Sequence, residues 1–228
     1  MKTLIYVPVI HTSADLGSIA KDVTKRGIAD LGEKFWEEHI KTVDSFWDTI
    51  SRYFDSIDAY GMKIYQDGMV AEGEVGEEIV REIARAGSKN HEIILRLLKR
   101  GALLVKTEEF NLVKMERDTL IAITQAKSIL QKLTAFAKYE FTKNSHLRKR
   151  DKYIVKRINE TLEHGETGIL FIGAYHNIKN ELSKSVRISE TKNTEKVREY
   201  QRLLPFHSKN TERFKELSEY LVSEIDQK

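Results

Sequence analysis

The sequence contains no cysteine, and this absence excludes several kinds of site at once. A chain without thiols has no disulfide framework, no thiolate zinc centre and no cysteine nucleophile. Any catalytic centre or metal site must therefore be built from His, Asp, Glu, Ser, Thr or Tyr side chains.

Long hydrophobic runs are also missing. The longest one, residues 168–175, is far shorter than the roughly 18 residues needed to cross a bilayer. The apolar residues 4–10 follow Lys2 but include Pro8 and lead to no small-residue cleavage site, which is not typical of a signal peptide. We therefore predict that this stretch is the first strand of a cytoplasmic protein without a membrane partner.

A strong excess of one charge is absent as well. The chain has 38 Lys and Arg residues against 35 Asp and Glu residues, which gives a net charge of +3. Residues 143–157 hold seven basic residues, with Asp151 as the one acidic residue among them. We interpret this stretch as a solvated helix face, and we do not expect a nucleic-acid partner.

The chain does have enough apolar residues to form a core, since they make up 40% of its 228 residues. Many of them lie in short runs. Four runs predict strands, and these are residues 4–10, 62–70, 102–105 and 168–175. Longer amphipathic stretches separate them, an alternation typical of parallel pairing. We predict an α/β fold: a parallel-containing sheet of about four or more strands, with long helical insertions and a helical C-terminal tail.

The clearest helical pattern covers residues 36–57, where apolar side chains recur every three or four positions. This stripe favours a core helix over a cofactor site, and its length also suits a homo-oligomer interface. Further helices are predicted at residues 77–86, 89–99, 112–139 and 147–162. Because no linker divides the chain, we predict an α/β core domain with helical insertions over residues 1–182, and a helical C-terminal extension packed on it over residues 183–228.

Ligands of an open parallel sheet bind beyond the carboxyl ends of its strands, so the residues that follow each strand are the candidates for a site. His11 follows the first predicted strand and His176 follows the last. An imidazole at this edge can ligate a metal or act as a general base, and the alternative is that each histidine caps a helix. The glycine three residues before His176, Gly173, is expected to allow a tight turn.

Carboxylates follow the second predicted strand. Glu72 and Glu74 lie on a glycine-flanked turn, where either could ligate a metal, orient a histidine or activate water. The alternative is that the acidic residues here favour the positive end of the next helix. Glu74 fits that alternative better than Glu72 does.

Arg150 is the most informative single residue. It lies four residues before Ile154, on a stripe that continues through Ile158 and Leu162 and should face the sheet. A guanidinium on a core-facing stripe requires a carboxylate or an anionic ligand. The alternative is that its side chain reaches solvent from the start of the helix.

These residues together resemble a superfamily of TraB-like proteins, Tiki proteases, erythromycin esterases and a haem-binding lipoprotein branch. Its hallmarks are a Gly-x-x-His after the first strand, an acidic residue after the second, an Arg on a late helix and a second Gly-x-x-His. The late part matches best, with Arg150 followed by Gly173-Ala-Tyr-His176. His11-Thr-Ser is similar to the first motif, although Pro8 stands where its glycine is expected.

The resemblance covers about residues 4–180, with Glu72 or Glu74 as the acidic counterpart, and implies that His11, Glu72, Arg150 and His176 converge on one pocket. We expect a hydrolase-like site for a small-molecule or peptide substrate, in which a histidine activates water or holds a divalent metal ion. The metal ligands would then be His11, Glu72, Glu74 and His176. Because fold likeness cannot choose the reaction, a non-catalytic protein that binds an anion or a metabolite is the competing hypothesis.

Overall fold

A computed structural model describes residues 1–12, 14, 15, 17, 20–124 and 129–226 of the chain. Within these residues the fold is a five-stranded parallel sheet surrounded by eight α-helices, which confirms the predicted α/β class and the C-terminal helices. None of the helices in the described ranges is long and apolar enough to cross a membrane.

The strands follow one another in the order β3-β2-β4-β1-β5, and every neighbouring pair is parallel. Their bounds are β1 Lys2–Val9, β2 Lys63–Gln66, β3 Leu103–Val105, β4 Thr167–Gly173 and β5 Val186–Glu190. The first four are the predicted strands. The fifth was missed, and it lies within residues 183–228, so this segment adds an edge strand to the sheet as well as helices.

Helices cover both faces of the sheet. Their bounds are α1 Ala20–Leu31, α2 Glu33–Asp55, α3 Gly73–Arg85, α4 Lys89–Lys99, α5 Phe110–Thr124, α6 Ile129–Thr161, α7 Thr194–Leu203 and α8 Thr211–Val222. A short 3₁₀ helix, Leu204–Lys209, contains Pro205 and joins the last two. The stretch predicted as one helix over residues 112–139 is divided between α5 and α6, because Glu116 of α5 pairs with Arg150 of α6, which one straight helix could not allow. The helix α6 also continues through the stretch predicted as a separate helix over residues 147–162.

Strand β1 has neighbouring strands on both sides, and its sequence is almost continuously apolar because both of its faces are covered. Alternate side chains point to opposite faces, so Leu4 and Tyr6 pack against α6, whereas Ile5 and Val7 pack against the helices α2, α4, α7 and α8. Pro8 lies where β5, which pairs only with residues 2–6, has already ended. The missing N–H of proline is therefore placed near the end of the strand, where the sheet can accommodate it.

Two neighbouring strands have connections that leave in opposite directions. The chain leaves β2 through α3 and α4 to reach β3 at one edge of the sheet, and it leaves β4 to reach β5 at the other edge. Such a divergence opens a crevice at the carboxyl ends of the two strands, which is where ligands bind in open α/β sheets. The residues that follow β2 and β4 are therefore the candidates for a ligand site.

Candidate functional site

A buried group of charged side chains fills this crevice, and we call it the charge cluster. It contains Asp67, Glu108, Glu116, Arg150, Asp151 and His176. Asp67 follows β2, Glu108 follows β3 and His176 follows β4, so three adjacent strands each deliver one member. The helices α5 and α6 supply the others.

Arg150 lies at the centre of the charge cluster and is only 8% exposed. As its spacing predicted, it shares a buried stripe of α6 with Ile154 and Ile158. Its Nε donates to Oε2 of Glu108 over 2.7 Å, and its Nη2 donates to both Glu108 and Asp67. Its Nη1 donates to Glu116, whose side chain is 34% exposed. Each of the three guanidinium nitrogens of Arg150 therefore donates to a carboxylate, and one of these carboxylates reaches solvent.

His176 lies between two carboxylates. Its Nδ1 is 2.5 Å from Oδ1 of Asp151, and its Nε2 is 3.2 Å from Oδ2 of Asp67. Asp151 also accepts from the backbone N–H of Asn177 over 3.1 Å, so it fixes both the ring and the loop that carries it. Since both ring nitrogens are engaged, His176 has no free nitrogen for a metal in this arrangement.

The predicted tight turn is present, because the N–H of His176 donates to the carbonyl of Gly173 over 3.1 Å, but the turn itself does not require glycine. The φ of Gly173 is not in the left-handed region. A Cβ at this position would lie 3.2 Å from Oδ2 of Asp67 and 3.5 Å from Cδ2 of His176, and its N–H donates to the same Asp67 oxygen over 3.0 Å. Glycine is therefore needed here because the Asp67 carboxylate lies directly against the backbone.

The carboxyl groups of Asp67 and Glu108 have opposite pKa shifts. Burial would raise the pKa of Asp67, but the charges of His176 and Arg150 outweigh it and hold the pKa well below the usual range. Burial raises the pKa of Glu108 to about 7, and the neighbouring charge of Asp67 opposes the effect of Arg150. Two carboxyl groups whose environments separate their pKa values are a common basis for acid and base roles.

The histidine carries a positive charge at neutral pH. Burial would lower the pKa of His176, but the charge of Asp67 and the hydrogen bonds to Asp151 and Asp67 raise it to about 10. A histidine that holds its proton cannot serve as the base that the sequence led us to expect. In this environment it is suited to stabilise negative charge or to donate a proton.

The other predicted site residues lie outside the charge cluster. Glu72 has an exposed side chain, accepts from the backbone N–H of Lys106 over 3.1 Å and pairs with Arg157, two turns beyond Arg150 on α6. Glu74 is exposed in the first turn of α3. His11 is exposed on the α2 side of the sheet, where it lines a cavity, whereas His176 contacts α6 on the opposite side.

The four predicted residues therefore do not meet in one pocket in this structure. The two histidines that were predicted to bind a metal together, His11 and His176, lie on different faces of the sheet. In the described ranges, no group of three or more His, Asp or Glu side chains is placed to hold a metal ion. The donor set His11, Glu72, Glu74 and His176 does not fit a metal as arranged here, and we derive no step through one.

Four members of the charge cluster were not selected from the sequence, namely Asp67, Glu108, Glu116 and Asp151. The same argument could have found Glu108, which follows the third predicted strand, and it could have found Asp67 if the end of the second strand had been placed correctly. Asp67-Gly68 lies inside the run predicted as a strand over residues 62–70, and Asp-Gly is a turn signal. The strand ends at Gln66, so the correct strand-end acid is Asp67.

Outside the charge cluster, a Ser, a His and an Asp lie close together beside the start of α4, but their geometry is that of a helix cap. Ser88 is the N-cap of α4, donates to Asp15 and lies 2.8 Å from Nδ1 of His91. Serine and carboxylate both approach the same ring nitrogen, so the imidazole does not bridge them as a base must. Burial lowers the pKa of His91 to about 4, which keeps the ring neutral.

Comparison with known proteins gives no match: no protein-family model, curated protein or solved structure is significantly similar to this chain. The functional assignment therefore depends on the geometry of the charge cluster.

Proposed function

We propose that this protein is a hydrolase of the TraB, Tiki and erythromycin-esterase type, with its active site at the charge cluster. The observation that carries the proposal is the pair Asp67 and Glu108, two carboxyl groups with separated pKa values on one buried guanidinium in the crevice between β2 and β4. A carboxyl group with a pKa of about 7 suits general acid–base work at neutral pH.

Each member has a role in this proposal. Glu108 accepts a proton from water as the water attacks an ester or amide carbonyl, and returns it to the leaving group. Arg150 and the protonated His176 stabilise the negative charge that develops on the carbonyl oxygen. Asp67 and Asp151 hold the imidazolium in place.

Access to Arg150 comes through its most exposed partner. Glu116 on α5 is the one carboxylate of the three around Arg150 with a substantially exposed side chain, while Glu108 is 0% exposed. In the proposed reaction the substrate replaces Glu116 at Nη1 of Arg150. The reacting carbonyl would then bond to the same guanidinium from which Glu108 accepts through Nε and Nη2.

The test is a hydrolysis screen of carboxylic esters, phosphoesters and peptides, with and without added divalent metal. We expect the wild type to turn over at least one class, and Glu108→Gln to lower kcat by about 100-fold or more. Glu109→Gln is the matched control, since the side chain of Glu109 lies next to Glu108 in the chain but bonds to Asn111 rather than to Arg150. No turnover by the wild type, or equal activity of Glu108→Gln, would reject the enzyme proposal.

A second candidate function is anion binding without turnover, and the pairing of Arg150 with Glu116 favours it. An external carboxylate or phosphate can replace an internal carboxylate that is partly exposed. Saturable binding of acetate or inorganic phosphate to the wild type, lost in Arg150→Met, with no turnover in the screen would support this candidate. Absence of binding to the wild type would reject it.

A further inference from the structure

The chain leaves β4 through residues 174–179, and we call this segment the His176 loop. From the α6 side, Asp151 contacts the ring of His176 and the N–H of the next residue. The helix α7 packs on the opposite face of the sheet from α6. Residues four apart share one face of a helix, and α7 contacts the His176 loop from one such face with Thr194 and Arg198.

Arg198 binds the backbone of the His176 loop at two points. Its Nε donates to the carbonyl of Ala174 over 2.8 Å, and its Nη2 donates to the carbonyl of His176 over 3.4 Å. Ala174 is 0% exposed, so its carbonyl cannot exchange this bond for one to water unless the loop moves. The guanidinium therefore fixes where the backbone around His176 lies.

The third nitrogen of Arg198 is engaged at the surface. Its Nη1 donates to both carboxylate oxygens of Glu195, over 2.8 Å and 2.9 Å, and the side chain of Glu195 is 72% exposed. Arg150 differs, because its guanidinium donates to the carboxylates of the charge cluster. The charge of Arg198 is thus balanced outside the charge cluster, and its inner two nitrogens hold backbone carbonyls.

A second contact from α7 holds the far end of the His176 loop. Nζ of Lys179 donates to Oγ1 of Thr194 over 2.7 Å, and it pairs with Glu190 at the end of β5. The loop is therefore attached to the segment 183–228 at both of its ends. Because the loop has no regular secondary structure of its own, these contacts determine its position.

The imidazole ring depends on that position. Nδ1 of His176 is 2.5 Å from Asp151, and its Nε2 is 3.2 Å from Asp67, so a single placement of the ring satisfies both carboxylates. Hydrogen bonds weaken steeply with distance and angle, so a displacement of the loop by about 1 Å is enough to weaken at least one of these contacts. The two aspartates hold the ring, and Arg198 holds the backbone behind it.

We infer that Arg198 is a positioning residue of the proposed active site, which holds the His176 loop so that the imidazolium of His176 contacts Asp151 and Asp67 together. The inference rests on the proposed function, because it assigns Arg198 to the site of that reaction. It also gives the segment 183–228 a part in the site, although none of its residues belongs to the charge cluster.

The test compares Arg198→Met with the wild type by NMR at neutral pH. The Nδ1–H proton of His176 lies in a short, charge-assisted hydrogen bond and gives a downfield signal, which His176→Asn identifies by its loss. We expect Arg198→Met to move this signal upfield or to broaden it beyond detection, because the bond to Asp151 lengthens. The matched control is Arg202→Met, one turn further along α7, where the arginine is exposed, and it should leave the signal unchanged. An unchanged signal in Arg198→Met would overturn the inference.

A second variant decides the question if Arg198→Met does not fold. Arg198→Lys keeps the charge and most of the side-chain length, but an ammonium lacks the planar fork with which a guanidinium reaches two carbonyls and Glu195 at once. Its His176 signal should move in the same direction by a smaller amount. A wild-type signal in Arg198→Lys would overturn the inference, because the bridge between the two carbonyls would then not be needed.

Kinetics connect the position of the ring to the reaction. On the substrate identified by the hydrolysis screen, Arg198→Met should lower kcat about tenfold or more and change KM by less than about twofold, because Arg198 orients a catalytic group and does not touch the substrate. Equal kcat in the wild type and Arg198→Met would overturn the assignment of Arg198 to the active site. If the wild type hydrolyses nothing, the proposed function fails, whereas the NMR comparison still decides whether Arg198 positions His176.

Discussion

Asp67 and Glu108 follow neighbouring strands and share a single nitrogen, Nη2 of Arg150. The backbone reinforces this arrangement, since the N–H of Gly68 donates to Oε1 of Glu108 over 3.0 Å and the N–H of Glu108 donates to the carbonyl of Met69 over 2.9 Å. The two strand ends are thus joined to each other and to α6. Loss of the shared guanidinium would leave Glu108 buried without this cation and would leave Asp67 with the imidazolium of His176.

The first prediction concerns the stability that Arg150 provides. Arg150→Met removes the positive charge and leaves Asp67 and Glu108 buried together, so the free energy of unfolding should fall by about 3–5 kcal/mol. Arg157→Met is the control on the same helix, because Arg157 is more exposed and bonds mainly to a backbone carbonyl over 2.9 Å. Its cost should be about 1 kcal/mol. Urea unfolding at pH 7 measures both, and similar costs would contradict a central role for Arg150.

The second prediction is a pH dependence that comes from His176. Its pKa is raised in the folded protein from 6.5 to about 10, so its stabilising contribution is complete below pH 6.5 and is lost as the pH rises through 10. The difference in unfolding free energy between the wild type and His176→Asn should therefore shrink from pH 7.5 to pH 10. Glu108, with a pKa of about 7, has largely titrated before this window begins.

The matched control for that measurement is His146→Asn, on α6 one turn before Arg150. This substitution should change the free energy of unfolding only slightly. A pH-independent difference for His176→Asn would show that the histidine carries no extra proton in the folded state.

The third prediction tests the close approach of Asp67 to the backbone. Gly173→Ala places a methyl group 3.2 Å from Oδ2 of Asp67, tighter than ordinary contact, so the carboxylate must move. We expect a loss of about 1–3 kcal/mol and a changed NMR signal for the His176 ring. The control is Gly165→Ala, because Gly165 has a φ of 87° and open space around the added methyl group. This variant should lose stability through backbone strain alone, and its His176 signal should be unchanged. An unaltered His176 signal in Gly173→Ala would disprove the crowding argument.

The sequence predicted those parts of the fold in which one local pattern determines the structure. Strands β1 and β4 are buried on both faces and therefore read as continuous apolar runs. Strand β5 has the sequence Val186-Arg-Ile-Ser-Glu190 at the sheet edge, where exposed and charged side chains hide the pattern. The division of residues 112–139 between α5 and α6 was missed because the sequences of both helices have helical periodicity.

The site was predictable to the extent that strand ends could be located. Arg150 and His176 were identified from helical spacing and from position after a strand, and both lie in the charge cluster. His11 satisfied the same rule, but the bond from Trp47 to Ile10 turns the chain toward α2 after β1, away from α6. That bond joins residues 37 apart, and a single-sequence pattern contains no information about it. Long-range contacts therefore decide which strand ends share a site.

The last prediction concerns Glu116, the most exposed partner of Arg150. If its carboxylate occupies a position that an external anion can take, then Glu116→Gln removes the internal competitor while it keeps the shape of the side chain. The variant should bind inorganic phosphate at least about tenfold more tightly than the wild type, measured by calorimetry at low ionic strength. Its stability should change by no more than about 1 kcal/mol, because a partly exposed ion pair contributes little.

Asp118→Asn is the control, since Asp118 lies on the same helix and pairs with Lys114 at the surface, and it should leave phosphate affinity unchanged. Equal phosphate affinity in the wild type and Glu116→Gln would mean that Nη1 of Arg150 is not open to ligands, and it would exclude both the proposed substrate entry and the anion-binding alternative.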